Sequence, residues 1–167
     1  MKKKSKSFLG TASLLNRILA LFLDLFIIYF VIARPFYRLI LSVLPDLQTT
    51  NYSEIIEILN SSPEIVNNLT LIFFSISIIS LIYFSYMEYK FSQTFGQMAL
   101  GLKIKSEKKE TNIWQYVLTN LFVFPFFPFI ILWFLDPIYM FYKGKKYTEH
   151  IAKLKMEQVY VIKDGKK

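Results

Sequence analysis

The sequence has no cysteine, a single histidine and none of the short motifs that mark the common enzyme classes. Without cysteine, disulfides, thiolate catalysis and cysteine-based metal sites are excluded. It contains no nucleophile elbow, phosphate-binding loop, dinucleotide fingerprint or HExxH zinc motif. The one histidine, His150, stands in a lysine-rich tail without partners for metal or triad chemistry. We therefore predict that the protein is not an enzyme and has neither a metal site nor a cofactor.

Basic residues are absent from 45–68, a stretch that carries only acidic charges. Lysines concentrate instead in 1–13, 88–112 and 143–167, with four, five and eight of them respectively. The positive-inside rule places these three segments in the cytoplasm and 45–68 outside. Nucleic-acid binding is the alternative use of so many lysines, but no aromatic platform or binding motif stands among them. We predict a multi-pass cell-membrane protein with cytoplasmic N- and C-termini and no nucleic-acid partner.

Hydrophobic residues make up 54% of the chain and its mean hydropathy is +0.38, values typical of a membrane protein. Two full spans are predicted, at about 13–33 and 69–89. The first begins after a lysine-rich start like that of a signal peptide, but its apolar stretch is too long and lacks a clean cleavage site. Ser62-Pro63-Glu64 predicts the start of a helix leading into the second span.

A third apolar stretch, 113–142, is too long for one straight crossing. As a helix it would measure about 45 Å, against about 30 Å for the hydrocarbon core. Pro125 and Pro128 near its middle would each break the helical hydrogen-bond ladder. Two short segments turning near 125–128 keep the lysine-rich tail inside, so they are favoured. A single kinked span is the alternative.

The loop after the second span predicts small structural elements. Thr94 is placed to cap a short helix that Gly101 terminates. The alternating residues 102–105 predict a strand, and 158–162 have a similar pattern, so the two are candidates to pair on the cytoplasmic face.

The predicted fold class is an all-α membrane protein. It is a small helical bundle of two full spans and a proline-broken C-terminal membrane unit, with small cytoplasmic strand-like elements. A single domain over 1–162 and a basic cytoplasmic tail over 163–167 are expected.

Two charged residues lie within the first span. Arg17 and Asp24 are seven residues apart, which places them on the same side of a helix and about 10 Å apart along it. Asp24 lies about 16 Å from the helix start, near mid-bilayer, whereas Arg17 can reach the cytoplasmic interface. An aspartate at that depth normally faces protein or water and has a partner.

Three segments stand out together: Arg17, Ala20 and Asp24 in the first apolar helix, the stretch Thr94-Phe95-Gly96-Gln97 continuing to Gly101 and a strand, and Asp136 near the end of the last apolar stretch. In this order and spacing they resemble the RDD family of small integral membrane proteins. The first set corresponds to the family's first helix, the second to its middle motif and Asp136 to its second aspartate. The resemblance covers roughly 13–162. It implies a multispanning protein, for which cation or proton transport has been proposed and no enzyme activity is established.

The chain departs from the family pattern at three positions. Gln97 stands where the family usually has a basic residue. In the closing segment, Glu149 replaces an aspartate and Leu154 replaces a threonine, which removes any role of a polar group at position 154.

Arg17, Asp24 and Asp136 form the candidate site. Asp136 lies about 9 Å from a helix end near Tyr142, close in depth to Arg17, so we predict an Arg17–Asp136 ion pair. Asp24 would then be a deeper carboxylate without a fixed cation, as a proton or Na⁺ carrier requires. The alternative is a salt-bridged latch that only fixes helix register.

Two further residues bear on this site. Pro137, after Asp136, leaves nearby carbonyls free, as in the cation sites of broken-helix transporters, although proline also kinks many spans that have no such role. Glu88 is a secondary ion-binding candidate, with an interfacial pairing to Lys90 as the plainer interpretation.

The function predicted from these residues is transport of a cation or proton, H⁺ or Na⁺, by an intramembrane carboxylate. Few helices are available to enclose a water path, so a homo-oligomer in the lipid bilayer is expected. The alternative is a non-transporting membrane scaffold or accessory module that binds a partner protein.

Overall fold

The computed structural model describes residues 6–44, 51–107 and 110–162, which are mostly helical with one small sheet. The chain forms two compact units, one of Met1–Leu25 and Leu81–Lys167 and the other of Phe26–Ser80. The single domain over 1–162 stays a prediction, and the tail at 163–167 lies outside the described residues.

The first long helix continues past Ala33, and whether the membrane span itself ends there stays a prediction. It consists of α1 (Leu14–Ile28), a π-helical turn (Tyr29–Ala33) and α2 (Arg34–Val43). In the π turn the Arg34 N–H donates to the Tyr29 carbonyl, five residues back. Pro35, which has no N–H to donate, lies in the first turn of α2 directly after this wider turn. Proline is tolerated there, so the helix continues through it.

A second long helix, α4 (Pro63–Phe91), follows the short helix α3 (Tyr52–Ser61). Its predicted start is confirmed, with Pro63 as the first residue and Glu64 in the first turn. Leu14–Val43 and Pro63–Phe91, each of hydropathy 2.1, are long and apolar enough to cross a bilayer.

Three charged side chains on α1 and α4 are buried, whereas many large apolar ones are exposed. Arg17, Asp24 and Glu88 are at most 7% exposed, while Leu15 is 64% and Phe22 65% exposed. A helix of a water-soluble protein distributes its residues the other way round. The two helices therefore have the pattern of membrane helices, whose apolar faces meet lipid and whose ionisable groups face protein.

The sheet has three antiparallel strands in the order β1-β3-β2. These strands are β1 (Lys6–Thr11), β2 (Leu102–Ser106) and β3 (Leu154–Ile162). β2 pairs with β3, as predicted, but through 154–158, so that of the predicted segment 158–162 only Gln158 takes part, opposite Leu102. The all-α prediction omits β1, which pairs with β3 so that Leu9 lies opposite Val159. The sequence before α1 indicates only a charged start to the first span, because the partner strand of β1 is at the other end of the chain.

The remaining elements are short. They are α5 (Phe95–Ala99), α6 (Ile113–Thr119), 3₁₀ turns at Leu121–Val123 and Phe129–Ile131, α7 (Leu132–Lys143) and α8 (Tyr147–Ala152). Pro125 and Pro128 lie in the non-helical stretch that separates the two 3₁₀ turns. At 12 residues α7 is about 18 Å long, less than the bilayer core. Whether 113–142 crosses a membrane once or twice stays a prediction.

One apolar core holds the first unit together, with side chains from the sheet, α1, α6 and α8. Its buried members are Ala12, Ala20, Leu102, Ile104, Tyr116, Ala152, Leu154 and Met156. β2 alternates strictly, because Leu102 and Ile104 are buried while Lys103 and Lys105 are exposed. Leu154, where the family has threonine, is fully buried in this core.

Gly101 should be replaceable by asparagine at lower cost than by alanine. Its φ of +66° is left-handed, and an added Cβ would meet only the Val159 carbonyl oxygen, at an ordinary 3.7 Å. The cost is therefore that of the backbone, about 1–2 kcal/mol for Gly101→Ala, and less for Gly101→Asn, since asparagine visits this region more readily. Unfolding in detergent would measure both. Equal losses would contradict the backbone argument.

Candidate functional site

Arg17 is buried on α1 and pairs with Glu149 of α8. One terminal nitrogen, Nη1, donates to both carboxylate oxygens of Glu149, at 3.2 and 3.1 Å. The other, Nη2, donates to the Met156 carbonyl oxygen of β3 at 3.2 Å. Glu149 is fully buried and also accepts the Lys146 backbone N–H at 3.3 Å. Arg17 thus ties the first helix to the C-terminal helix and strand within one unit.

The predicted Arg17–Asp136 ion pair is wrong. Asp136, buried in α7, accepts hydrogen bonds from Thr148 instead, from the backbone N–H at 3.0 Å and from the hydroxyl at 2.9 Å. Thr148 and Glu149 are consecutive residues in the first turn of α8, so this turn bonds both Asp136 of α7 and Arg17 of α1. Depth alone could not select the partner of Arg17, because that partner lies on a separate short helix after the last apolar stretch.

Asp24 is held by three hydrogen-bond donors. Its Oδ1 accepts the Tyr83 hydroxyl and the Gly96 backbone N–H, each at 2.9 Å, and its Oδ2 accepts the Thr94 hydroxyl at 2.5 Å. Among the described residues it has no ion pair. Asp24 is therefore a carboxylate fixed by neutral donors.

The short helix α5 is built to present those donors. Thr94 caps it, with its hydroxyl accepting the Gln97 N–H at 3.3 Å while the Gln97 side-chain oxygen accepts the Thr94 N–H at 3.0 Å. This reciprocal capping box satisfies two of the helix's free N–H groups and leaves that of Gly96 for Asp24.

Gly96 permits the close approach of α5 to α1. A Cβ at this position would overlap the Ala20 carbonyl oxygen and would lie 2.7 Å from Oδ2 of Asp24. Ala20 is itself 2% exposed. A larger residue at position 96 would therefore push the Gly96 N–H away from Asp24.

Glu88 of α4 is buried in the same unit, and it is bound by two amides rather than by Lys90. Its Oε1 accepts from Gln97 Nε2 at 2.8 Å and its Oε2 from Asn120 Nδ2 at 2.6 Å. Asn120 also donates to the Tyr116 carbonyl oxygen, which fixes its orientation. Glu88 and Asp24 are thereby linked through Gln97 and Thr94.

A cavity of about 70 Å³ lies among these groups. The charged residues that line it are Arg17, Asp24, Glu88 and Lys146. The Lys146 ammonium nitrogen lies 4.5 Å from the centre of the Phe122 ring and has no ion pair among the described residues. Since Glu149 neutralises Arg17, two carboxylates face one remaining cation. The ionised cavity carries one excess negative charge.

The structure thus brings Arg17, Ala20, Asp24, Glu88, Thr94 and Gly96 together. Asp136 lies at the neighbouring α7–α8 contact, and Pro137 is an exposed residue inside α7. Gly101 ends the turn after α5, as predicted.

Several contributing residues were not anticipated from the sequence: Tyr83, Gln97, Asn120, Lys146 and Thr148 as site residues, and Glu149 as the partner of Arg17. The Thr94–Gln97 spacing was a detectable signal, because it is that of a capping box.

Comparison with known proteins gives one match. The model of the RDD family covers residues 11–150. No curated protein and no solved structure gives a significant match.

Glu149→Gln should destabilise the protein strongly. Arg17 would remain buried without its anion, a change that typically costs about 3–5 kcal/mol. Glu107→Gln is the matched control, because its ion pair with Lys145 is partly exposed and such pairs contribute about 0–1 kcal/mol. Denaturant unfolding in detergent would compare the two. A loss for Glu149→Gln no larger than for the control would contradict the buried pairing.

Proposed function

This chain belongs to the RDD family and is a membrane protein, and from that premise we propose that it transports a proton or a monovalent cation such as Na⁺. The transported ion is held by carboxylates inside the membrane unit, Asp24 and Glu88. The single observation that carries the proposal is the cavity, in which, among the described residues, these two acids face one cation without an ion pair.

The charge balance explains why such a cavity would take up a cation. Uncompensated charge is costly in an apolar surrounding, where Coulomb interactions are several times stronger than in water. One bound proton or monovalent ion makes the set of Asp24, Glu88 and Lys146 neutral. Binding one such ion therefore removes the excess negative charge of the cavity, and this favours binding.

A non-transporting membrane module is the second candidate, and the Arg17–Glu149 pair favours it. That pair, with the hydrogen bond to Met156, is a structural latch of the kind expected from the sequence, with Glu149 in place of Asp136. In this role the protein would present its spans and cytoplasmic face to a partner protein. The latch and the cavity use different carboxylates, so they can be tested separately.

We propose a multi-pass topology with both termini in the cytoplasm and with α3 outside. This follows from the lysines of the N-terminus, the 88–112 loop and the tail. We also propose a homo-oligomer, since two long helices enclose little space for a water path, and no enzymatic activity.

Single cysteines should report this topology without background, because the chain has none of its own. We expect a membrane-impermeant maleimide to label Ser53→Cys on intact cells, but Lys103→Cys and Lys167→Cys only after permeabilisation. Labelling of Lys167→Cys on intact cells would overturn the proposed path of 113–142.

Ion flux into proteoliposomes tests the transport proposal. Under H⁺ or Na⁺ gradients, the wild type should carry flux and the double variant Asp24→Asn, Glu88→Gln should not, because it keeps the side-chain shapes and removes the charges. Asp136→Asn is the control, since Asp136 is bonded to Thr148 outside the cavity lining. If the wild type carries no flux under any gradient, transport is refuted and the partner-binding module is favoured.

A further inference from the structure

We propose that the cavity is a hydrated proton-binding site in which Glu88 takes up the proton while Asp24 remains a fixed anion. The inference rests on the proposed function and names its cargo and its carrier. The first observation behind it is the Nε–H of Arg17, a buried hydrogen-bond donor without an acceptor among the described residues.

Arg17 Nε is buried and has no hydrogen-bond partner among the described residues. Both terminal nitrogens of the same side chain are used, on Glu149 and on the Met156 carbonyl. Leaving a buried donor unpaired is unfavourable, and the Arg17 side chain, 5% exposed, lines the cavity. Cavity water is the acceptor that the proposal assigns to this donor.

Water fits the cavity. One water needs about 10–15 Å³ of such space, so 70 Å³ holds several. A buried water also needs two to four polar partners. The lining supplies six polar side chains for it: Arg17, Asp24, Glu88, Gln97, Asn120 and Lys146.

The same lining is unsuited to a metal cation. A sodium ion requires oxygen ligands, but Gln97 and Asn120 turn their amide NH₂ groups, not their oxygens, toward the Glu88 carboxylate. Neither amide can simply flip, because the Gln97 oxygen is held by the Thr94 N–H and the Asn120 nitrogen donates to the Tyr116 carbonyl. Lys146 and Arg17 also line the cavity, and neither side chain can act as an oxygen ligand. Such a lining favours water and a proton.

Glu88 is better placed than Asp24 to accept the proton. Each of its oxygens accepts one hydrogen bond, so each retains an open lone pair. Asp24 accepts three, and two of them fill Oδ1, including the backbone N–H of Gly96, which can only donate, so only Oδ2 of Asp24 retains an open lone pair. The proton would arrive through cavity water, form an O–H bond with a Glu88 oxygen, and leave from that oxygen to water.

Several charged and titratable groups lie around Glu88, and their charges decide whether a proton on Glu88 leaves the cavity neutral. Arg17 and Lys146 are the cations, Asp24 and Glu149 are the anions, and Tyr83 and Tyr116 are the neighbouring phenols. Arg17 is neutralised by Glu149, so the proton on Glu88 leaves Asp24 balanced by Lys146.

Infrared titration of the purified protein in nanodiscs tests the site without requiring transport. On acidification, the wild type should gain, beside the C=O absorption of the exposed acids, one component from a buried protonated carboxyl group. This band should be lost in Glu88→Gln and kept in Asp24→Asn and in the exposed control Glu110→Gln. A bound-water O–H band that shifts in isotope-labelled water should accompany it. If Glu88→Gln does not fold, Glu88→Asp should retain the band at a shifted frequency.

The outcomes separate this inference from the proposed function. A band lost in Asp24→Asn but kept in Glu88→Gln, or the absence of any isotope-sensitive water band, would overturn the inference. Flux driven by Na⁺ without any proton flux would also overturn it, while leaving cation transport intact. A Glu88 band in a protein that carries no flux would support the proton site and refute transport.

Discussion

Ionised groups in an apolar helix must find their partners inside the protein, and this constraint organises the first unit. Arg17 and Asp24 lie on one face of α1, and the groups that satisfy them come from elements distant in the sequence. Asp24 is hydrogen-bonded to the capped start of α5, and Arg17 is hydrogen-bonded to α8 and β3. Lipid offers neither hydrogen bonds nor countercharges, so these contacts fix where the short elements lie.

The sheet supports the same arrangement from outside the helices. Because β3 pairs with β1 on one side and β2 on the other, the segments before α1 and after α5 and α8 are held together. The Met156 carbonyl that receives Arg17 belongs to β3, and Met156 is also a core residue. The packing of the core and the hydrogen bonding of Arg17 therefore depend on the same few residues. Burying the Arg17–Glu149 pair costs desolvation energy, and in return the pair fixes which elements pack together.

Local signals in the sequence predicted local structure well. The helix start at Pro63, the cap at Thr94, the turn at Gly101 and the pairing of β2 with β3 follow from hydrogen-bonding and conformational preferences that act over a few residues. The buried charges were detectable as acids and a base within apolar stretches. Their partners were not, because Glu149 is 132 positions away from Arg17 and no local pattern in the sequence links the two. β1 was missed for a related reason, since its only partner strand lies at the opposite end of the chain.

The Arg17–Glu149 pair also has a consequence for biosynthesis. The two residues are separated by 132 positions, so the ribosome delivers Arg17 long before its partner. During that interval the first helix enters the bilayer with an unsatisfied guanidinium, which must reach toward water or headgroups. A chain truncated before α8 never acquires the missing anion and keeps an exposed polar group for membrane quality control to detect. Burial of the Arg17 charge therefore has to wait until almost the whole polypeptide has been made.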